Sequence, residues 1–489
     1  MDTMIKTLTI LFLLLSVIGH AQVYDGICAG GSQDEIGYDF IIHNDGSYTL
    51  LTSTRSVTAE SEDIGLFQIT PLKNFHWLKV YGSGKHEYPY SIIRTSDNGY
   101  LIAGSKWDGG YGRMDAYLLK LDAEFDIEWD KYYGGSQRDE GFKVIECSTG
   151  GYLICGMTKS LPFSDLSDLY LVRTDNLGNL LWEFSTGPHD SKDYLFDVIE
   201  DASGNFIAAG VEAGHYHYST FDFSTSHSKS TLLKVNAIGN PVWKKNFDGP
   251  QNCWFKEIAA VADGSFYTIG STQNNTNGSF DISLTKFNSQ GDSLWQSNYG
   301  STSFDYGKSI LLSSDNYLYL AGSSCNDTIN FTTDINVIKT DTSGNVIWDR
   351  VYVGNKSEVA FKIKETDAGV AILGSTKSFG NGELDAYLLE LDRNGDVLHQ
   401  GDDIPNYDAQ LNIYPNPSAH GFNIIFNTDY DCKTFTLTIL DAQGKLVVVQ
   451  DIIKQDFNFI DTDNWGMGMY LYRFESDCFN TQVRKLIVH

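Results

Sequence analysis

A tryptophan that returns about every fifty residues constrains this chain more than any other feature. It stands at Trp77, Trp129, Trp182, Trp243, Trp295 and Trp348, in steps of 52, 53, 61, 52 and 53 residues, and His399 holds the same place 51 further on. Around each copy the same order of short β runs recurs. It is clearest between Gly134 and Trp182, where FKVIEC, YLICGMT, LYLVRTD and LLWEF are separated by turn clusters. Four strands per unit at this period describe a β-propeller blade, since a β-helix coil needs about half the length and a helical repeat would show a 3.6-residue pattern. The expected fold is all-β: a seven-bladed β-propeller with blades over 30–81, 82–133, 134–186, 187–247, 248–299, 300–353 and 354–401.

The links within each copy are turns that need glycine or asparagine. Asp45-Gly46, Asn98-Gly99, Gly150-Gly151 and Asp263-Gly264 mark one hairpin; Asp175–Asn179, Asn236–Asn240, Asn288–Asp292, Asp341–Asn345 and Asp392–Asp396 mark another. The tryptophan follows this second turn on the outermost strand, where it is expected to be buried between neighbouring blades, removing about 150–250 Å² from water. The Asp-x-x-Gly-Asn-x-x-Trp pattern is superficially similar to the tryptophan-docking repeat of quinoprotein dehydrogenases. The Ala and Thr-Gly of that motif and its adjacent cysteines are missing, and no cofactor is expected.

A formal charge of −28 without any run of Lys or Arg argues against nucleic acid or an anionic membrane surface as partner. Lys6, the apolar run Leu8–Ile18 and Gly19-His20-Ala21 form a secretory signal peptide over 1–21, so the mature chain is expected to start at Gln22 with no transmembrane segment. The seven cysteines all follow that cut, leaving at least one unpaired. Cys147 and Cys155 are offset on neighbouring strands and are not expected to pair, whereas Cys432 and Cys478 are candidates for a disulfide.

Repeated residues build scaffold. This applies to an acid before each inner strand (Glu35, Glu87, Asp139, Asp193, Asp305 and Glu358, with Asn252 breaking the series). It applies equally to a second series before the third strand: Asp115, Asp168, Asp281, Asp334 and Asp385. Function is sought where one copy departs from its siblings. Blade two carries Trp107 and Tyr111; blade four inserts His215-Tyr216-His217-Tyr218, with Phe221, Phe223 and His227 behind. Blade five places Trp254 where other copies have Gly37, Pro89, Gly141, Gly307 or Ala360. Loops between the second and third strands share one face of a propeller with the links between blades, so these aromatics are expected together as a platform for a glycan or a protein loop. His215-x-His217 with His227 offers too few ligands to expect a metal. No catalytic residue is identified: no nucleophile elbow, HExxH or phosphate loop occurs, and carboxylates are too common for a glycosidase pair to stand out. A carbohydrate-active hydrolase or lyase, or a purely structural or adhesive surface protein, remain as alternatives.

After 403–410, a polar linker, short alternating strands predict a small Ig-like antiparallel β-sandwich over 411–489. Its Tyr414-Pro415-Asn416-Pro417, Gly421-Phe422, Leu440-Asp441-x-x-Gly444, Gly468-Met469-Tyr470 and Lys485-Leu486-Ile487-Val488 resemble the type A C-terminal sorting domain of the type IX secretion system, found in Bacteroidota. The resemblance implies export to the periplasm, recognition by the outer-membrane translocon, cleavage by its sortase, and a cargo released or displayed at the cell surface.

Overall fold

The computed structural model describes residues 26–488 apart from 31–32, 56–60, 72–74, 108–113, 161–165, 189–190, 213–227, 250–251, 274–278, 328–331, 381–382, 399–410, 415–420, 427–433, 442–444, 454–457, 463–464 and 477–483. Residues 1–21, expected to be a signal peptide, and Tyr111, His215–Tyr218, Phe221, Phe223, His227, Pro415–Pro417, Gly444, Cys432 and Cys478 lie outside the described residues. The chain divides into two compact units, one ending at Leu398 and the other comprising mainly His399–His489.

The first unit is a seven-bladed propeller. Six blades are four-stranded antiparallel meanders in sequence order, for example Asp139–Glu146, Tyr152–Thr158, Asp168–Thr174 and Leu180–Thr186 in blade three. Blade seven has three strands of its own, Glu358–Glu365, Gly369–Thr376 and Asp385–Asp392, and takes its outer strand from the other end of the chain. Ile27–Ala29 pairs antiparallel with it, Ile27 opposite Leu388 and Ala29 opposite Ala386. Val397 contributes only a single bridge to Leu391, so the stretch before His399 is not the seventh outer strand. The inner strand of blade one, Glu35–Ile42, packs on blade seven and closes the ring. Because a sheet buries both faces here, the apolar clusters straddle neighbouring blades: Phe40, Leu50 and Phe67 of blade one pack with Ala371, Leu373 and Leu388 of blade seven.

At Trp129, Trp182, Trp243, Trp295 and Trp348 the repeating tryptophan is half-buried rather than enclosed. The Trp182 indole lies flat against the turn of the next blade, donating from Nε1 to the Ala237 carbonyl at 3.1 Å. Gly239 in that turn has φ +82°, and a Cβ there would strike the Trp182 ring. Trp129 meets Gly178, Trp243 meets Gly291, Trp295 meets Gly344 and Trp348 meets Gly395 in the same way. The turn glycine and the tryptophan therefore form one contact between blades, which is why they recur together. Tyr133, Tyr299 and Tyr352 reinforce it, each donating its hydroxyl to the turn carbonyl of the following blade at 2.7 Å.

The repeated acids are sealed at the junctions. Asp139 is fully buried and accepts from Gly135 N at 2.8 Å and Ser160 Oγ at 2.6 Å; Glu35 accepts from Thr54 at 2.7 Å. Cys147 and Cys155 are buried free thiols, and Cys155 stands opposite Lys143 rather than Cys147.

The second unit holds a three-stranded antiparallel sheet that includes Leu411–Tyr414 and Gly421–Phe426, and a four-stranded sheet that includes Thr434–Asp441 and Gly468–Ser476. Tyr470 is buried, packs its ring 4.9 Å from Trp465 and donates its hydroxyl to the Gly466 carbonyl at 2.7 Å. Lys485 lies on the edge strand Arg484–Val488, opposite Leu471.

Candidate functional site

Each inner strand carries a β-bulge at one and the same place, with the irregularity falling at Gly37, Pro89, Gly141, Leu195, Phe255, Gly307 and Ala360. A bulge inserts one residue and re-aims the next side chain. The residues that follow it are Tyr38, Tyr90, Phe142, Phe196, Lys256, Lys308 and Phe361, one per blade. They meet in sequence around the propeller axis. Centroids are 5.4 Å apart for Phe361 and Tyr38, 5.5 Å for Tyr38 and Tyr90, 5.2 Å for Tyr90 and Phe142, and 5.7 Å for Phe142 and Phe196. Lys256 Nζ then sits 4.1 Å from the Phe196 centroid. The central channel is thus encircled by five aromatic rings and two lysines.

A glycine in the second strand makes room for the bulge. A Cβ on Gly156 would be driven into the Glu140 carbonyl, and Gly104, Gly210, Gly270, Gly322 and Gly374 stand in the same relation to their inner strands.

One residue deeper, the channel is charged. Lys364 pairs with Asp39 at 2.8 Å, and Lys362 pairs with Glu257. Burial pushes the Asp39 carboxyl up, but Lys364, Lys143 and Lys362 outweigh it and hold it well below the usual range. Asp197, at the same level, accepts the Ile258 N–H at 3.0 Å; burial raises it despite Lys143. Burial and the neighbouring Lys308 lower Lys256 to about 7, and burial lowers Lys308 to about 8.

Trp107 ends the second strand of blade two, on the face where the links between blades emerge, and is 38% exposed. It has company that the sequence did not announce. The His86 ring lies 6.2 Å from it and is stacked on Tyr88 at 5.9 Å, while His86 Nδ1 bonds Glu62 at 2.5 Å. Arg55 Nε donates to the same carboxylate at 3.1 Å. Burial raises Glu62, but bonds from Tyr88, Arg55 and His86 take it below its ordinary value. The result is a half-open aromatic shelf edged by a fixed carboxylate, beside the channel mouth where Tyr90 donates to Glu140 at 3.4 Å.

Trp254 requires a correction. The bulge register gives Phe255, not Trp254, the place that Gly37, Pro89, Gly141, Gly307 and Ala360 hold in their blades, and Cys253, not Asn252, the place of the repeated acid. The Trp254 indole is 1% exposed, packed 5.0 Å from Phe280 and 6.2 Å from Tyr306, so it offers no surface for stacking. The aromatic cluster it joins includes Phe142 and Phe196 of the channel ring. An open depression on the opposite rim, between Arg173, Trp182 and Ile238, belongs to the blade junction. Arg173 there is occupied with the carbonyls of Tyr152 at 3.3 Å and Gly150 at 2.5 Å.

The second unit decides one question. Residues 412–489 match the secretion system C-terminal sorting domain. That tail marks the chain as cargo of the type IX system, bound for secretion or the cell surface. No helix among the described residues is long and apolar enough to cross a membrane. A search of curated proteins finds no match. Among solved structures the chain is similar to Drosophila Plexin A in complex with Semaphorin 1b, at 9% identity and TM-score 0.42 over 75% of this chain and 88% of that one. It is also similar to puromycin hydrolase, at 11% identity and TM-score 0.47 over 91% of this chain and 59% of that one. A third likeness is to Penicillium chrysogenum α-L-arabinanase complexed with arabinobiose, at 11% identity and TM-score 0.38 over 76% and 98%. These likenesses concern the fold alone.

Proposed function

We propose that this chain is a saccharide-binding propeller, delivered to the bacterial surface by its sorting tail and gripping its ligand at the channel mouth beside Trp107. In this reading residues 1–21 direct export of a chain starting at Gln22, 403–410 link the propeller to an Ig-like sandwich over 411–489, and the translocon and sortase of a member of the Bacteroidota are its partners. The observation that carries it is the exposed Trp107 shelf, whose His86–Glu62–Arg55 edge stands next to a ring of aromatic side chains. Apolar ring faces suit the CH faces of a pyranose, and a fixed carboxylate suits its hydroxyls. Tyr111 and His215–Tyr218 follow from sequence as further contacts on the same face.

The test is a glycan array probed with the intact chain and with Trp107→Ala. Binding lost in the variant at an unchanged melting temperature supports the reading. Indifference of every glycan to the substitution rejects it.

A further inference from the structure

The channel ring has two unlike arcs. Tyr38, Tyr90 and Phe142 present aromatic surface, while across the axis Lys256 and Lys308 bring two ammonium groups together on blades five and six. In a chain of net charge −28, a concentration of cationic side chains at its most enclosed point is a local reversal of sign. Of the carboxylates just below, Asp39 is engaged by Lys364 and Glu257 by Lys362, while Asp197, which also faces Lys256, is shared with Lys143 and Lys362. Lys256 forms no ion pair among the described residues, and its cation rests over the Phe196 ring.

We propose that Lys256 and Lys308 receive the carboxylate of a uronic acid whose pyranose ring lies against the aromatic arc. A carboxylate placed between two ammonium groups relieves their mutual repulsion and accepts charge-assisted hydrogen bonds from both. Burial first and Lys308 second lower Lys256 to about 7, and burial alone lowers Lys308 to about 8, a cost that a carboxylate held beside them offsets. Dimensions fit a single sugar. Centroids 5.2–5.7 Å apart in a seven-membered ring lie on a circle roughly 12 Å across, and the atoms of the facing rings occupy several ångströms of it, leaving too little room for an α-helix about 10–12 Å across with its side chains.

This inference rests on the saccharide reading, and titration calorimetry separates the two. The intact chain is titrated at pH 6 with trigalacturonic acid and with its methyl ester, which keeps the rings and removes the charge. The acid is expected to bind about tenfold tighter, the effect of one charge-assisted hydrogen bond of about 1.5 kcal/mol. Lys256→Met and Lys308→Met should each bring the ratio of acid to ester affinity to about one, and Lys256→Arg should retain the preference. Equal binding of acid and ester, or a preference that survives both methionine variants, overturns the lysine assignment while the saccharide reading stands. No binding of either sugar overturns the uronic acid assignment, and the glycan array with Trp107→Ala alone decides the saccharide reading. Competition by a hexaglutamate peptide as strong as by trigalacturonate shows a site for acidic protein segments and overturns the choice of sugar. If Lys256→Met fails to fold, Lys308→Gln carries the same comparison.

Discussion

The rim and the axis of this propeller use repetition in opposite ways. At the rim, the backbone device and the side chain are both repeated: a glycine of positive φ in the turn, and a tryptophan from the preceding blade lying on it. At the axis only the backbone device is repeated. All seven inner strands bulge at one place, yet the residue that follows is tyrosine twice, phenylalanine three times and lysine twice. A position held constant answers to packing between blades that are alike. A position held in place but free in identity can answer to something that enters from outside.

Three substitutions test that contrast. The largest effect is expected at the device that serves the axis. Gly156→Val forces a side chain into the Glu140 carbonyl and removes the bulge of blade three, costing about 3–4 kcal/mol in urea unfolding. A cost near zero would mean that the bulge is not held by that close approach. Trp182→Ala comes next, with a loss of about 2 kcal/mol, below the range for a fully buried indole because this one is half-buried and gives up one hydrogen bond to Ala237. The same readout applies, and a loss above 4 kcal/mol would make the rim the keystone instead.

The smallest effect has a defined pH dependence. Burial first, and Lys308 second, lower Lys256 from 10.5 to about 7. Between those values the unfolded chain holds a proton that the folded chain lacks, so the penalty from Lys256 is complete below about pH 7 and fades as pH rises toward 10.5. The other titratable groups facing it are Lys308, Glu257, Asp197 and the Cys155 thiol, which burial keeps protonated, and they remain in the variant. Lys256→Met should therefore melt higher than the parent at pH 6, with the difference shrinking by pH 9. A difference that grows with pH would contradict the burial of this cation.

The rim was legible in the sequence because its chemistry repeats in letters: tryptophan, turn glycine and Asx residues at fixed spacing. The sorting tail was legible for the same reason, through Tyr414–Pro417 and the closing Lys485–Val488. The axis was not, because a bulge is a property of backbone pairing and adds no characteristic residue at the position it re-aims. Without the bulge, blade five aligns one residue out of step with its siblings, so that the buried Trp254 stands out in the sequence and Lys256 does not. One signal was available. The glycine within each second strand from blade two to blade seven, Gly104 to Gly374, marks where the inner strand folds over it, and counting back from it would have found the ring. Blade one has Thr52 opposite Gly37, which hides the pattern at the place a reader starts. Likewise, Trp107 stood out as a departure from the repeat, whereas His86 and Glu62 reach it only through packing.

The borrowed outer strand of blade seven sets an order of events. Gly26 bonds the Tyr387 hydroxyl across 361 residues of chain, and Ile27–Ala29 finds its sheet only once the last blade exists. Contacts of such long range form late and slowly, because loop closure must precede any gain from them. The ring is therefore a latch that engages after synthesis of the seventh blade.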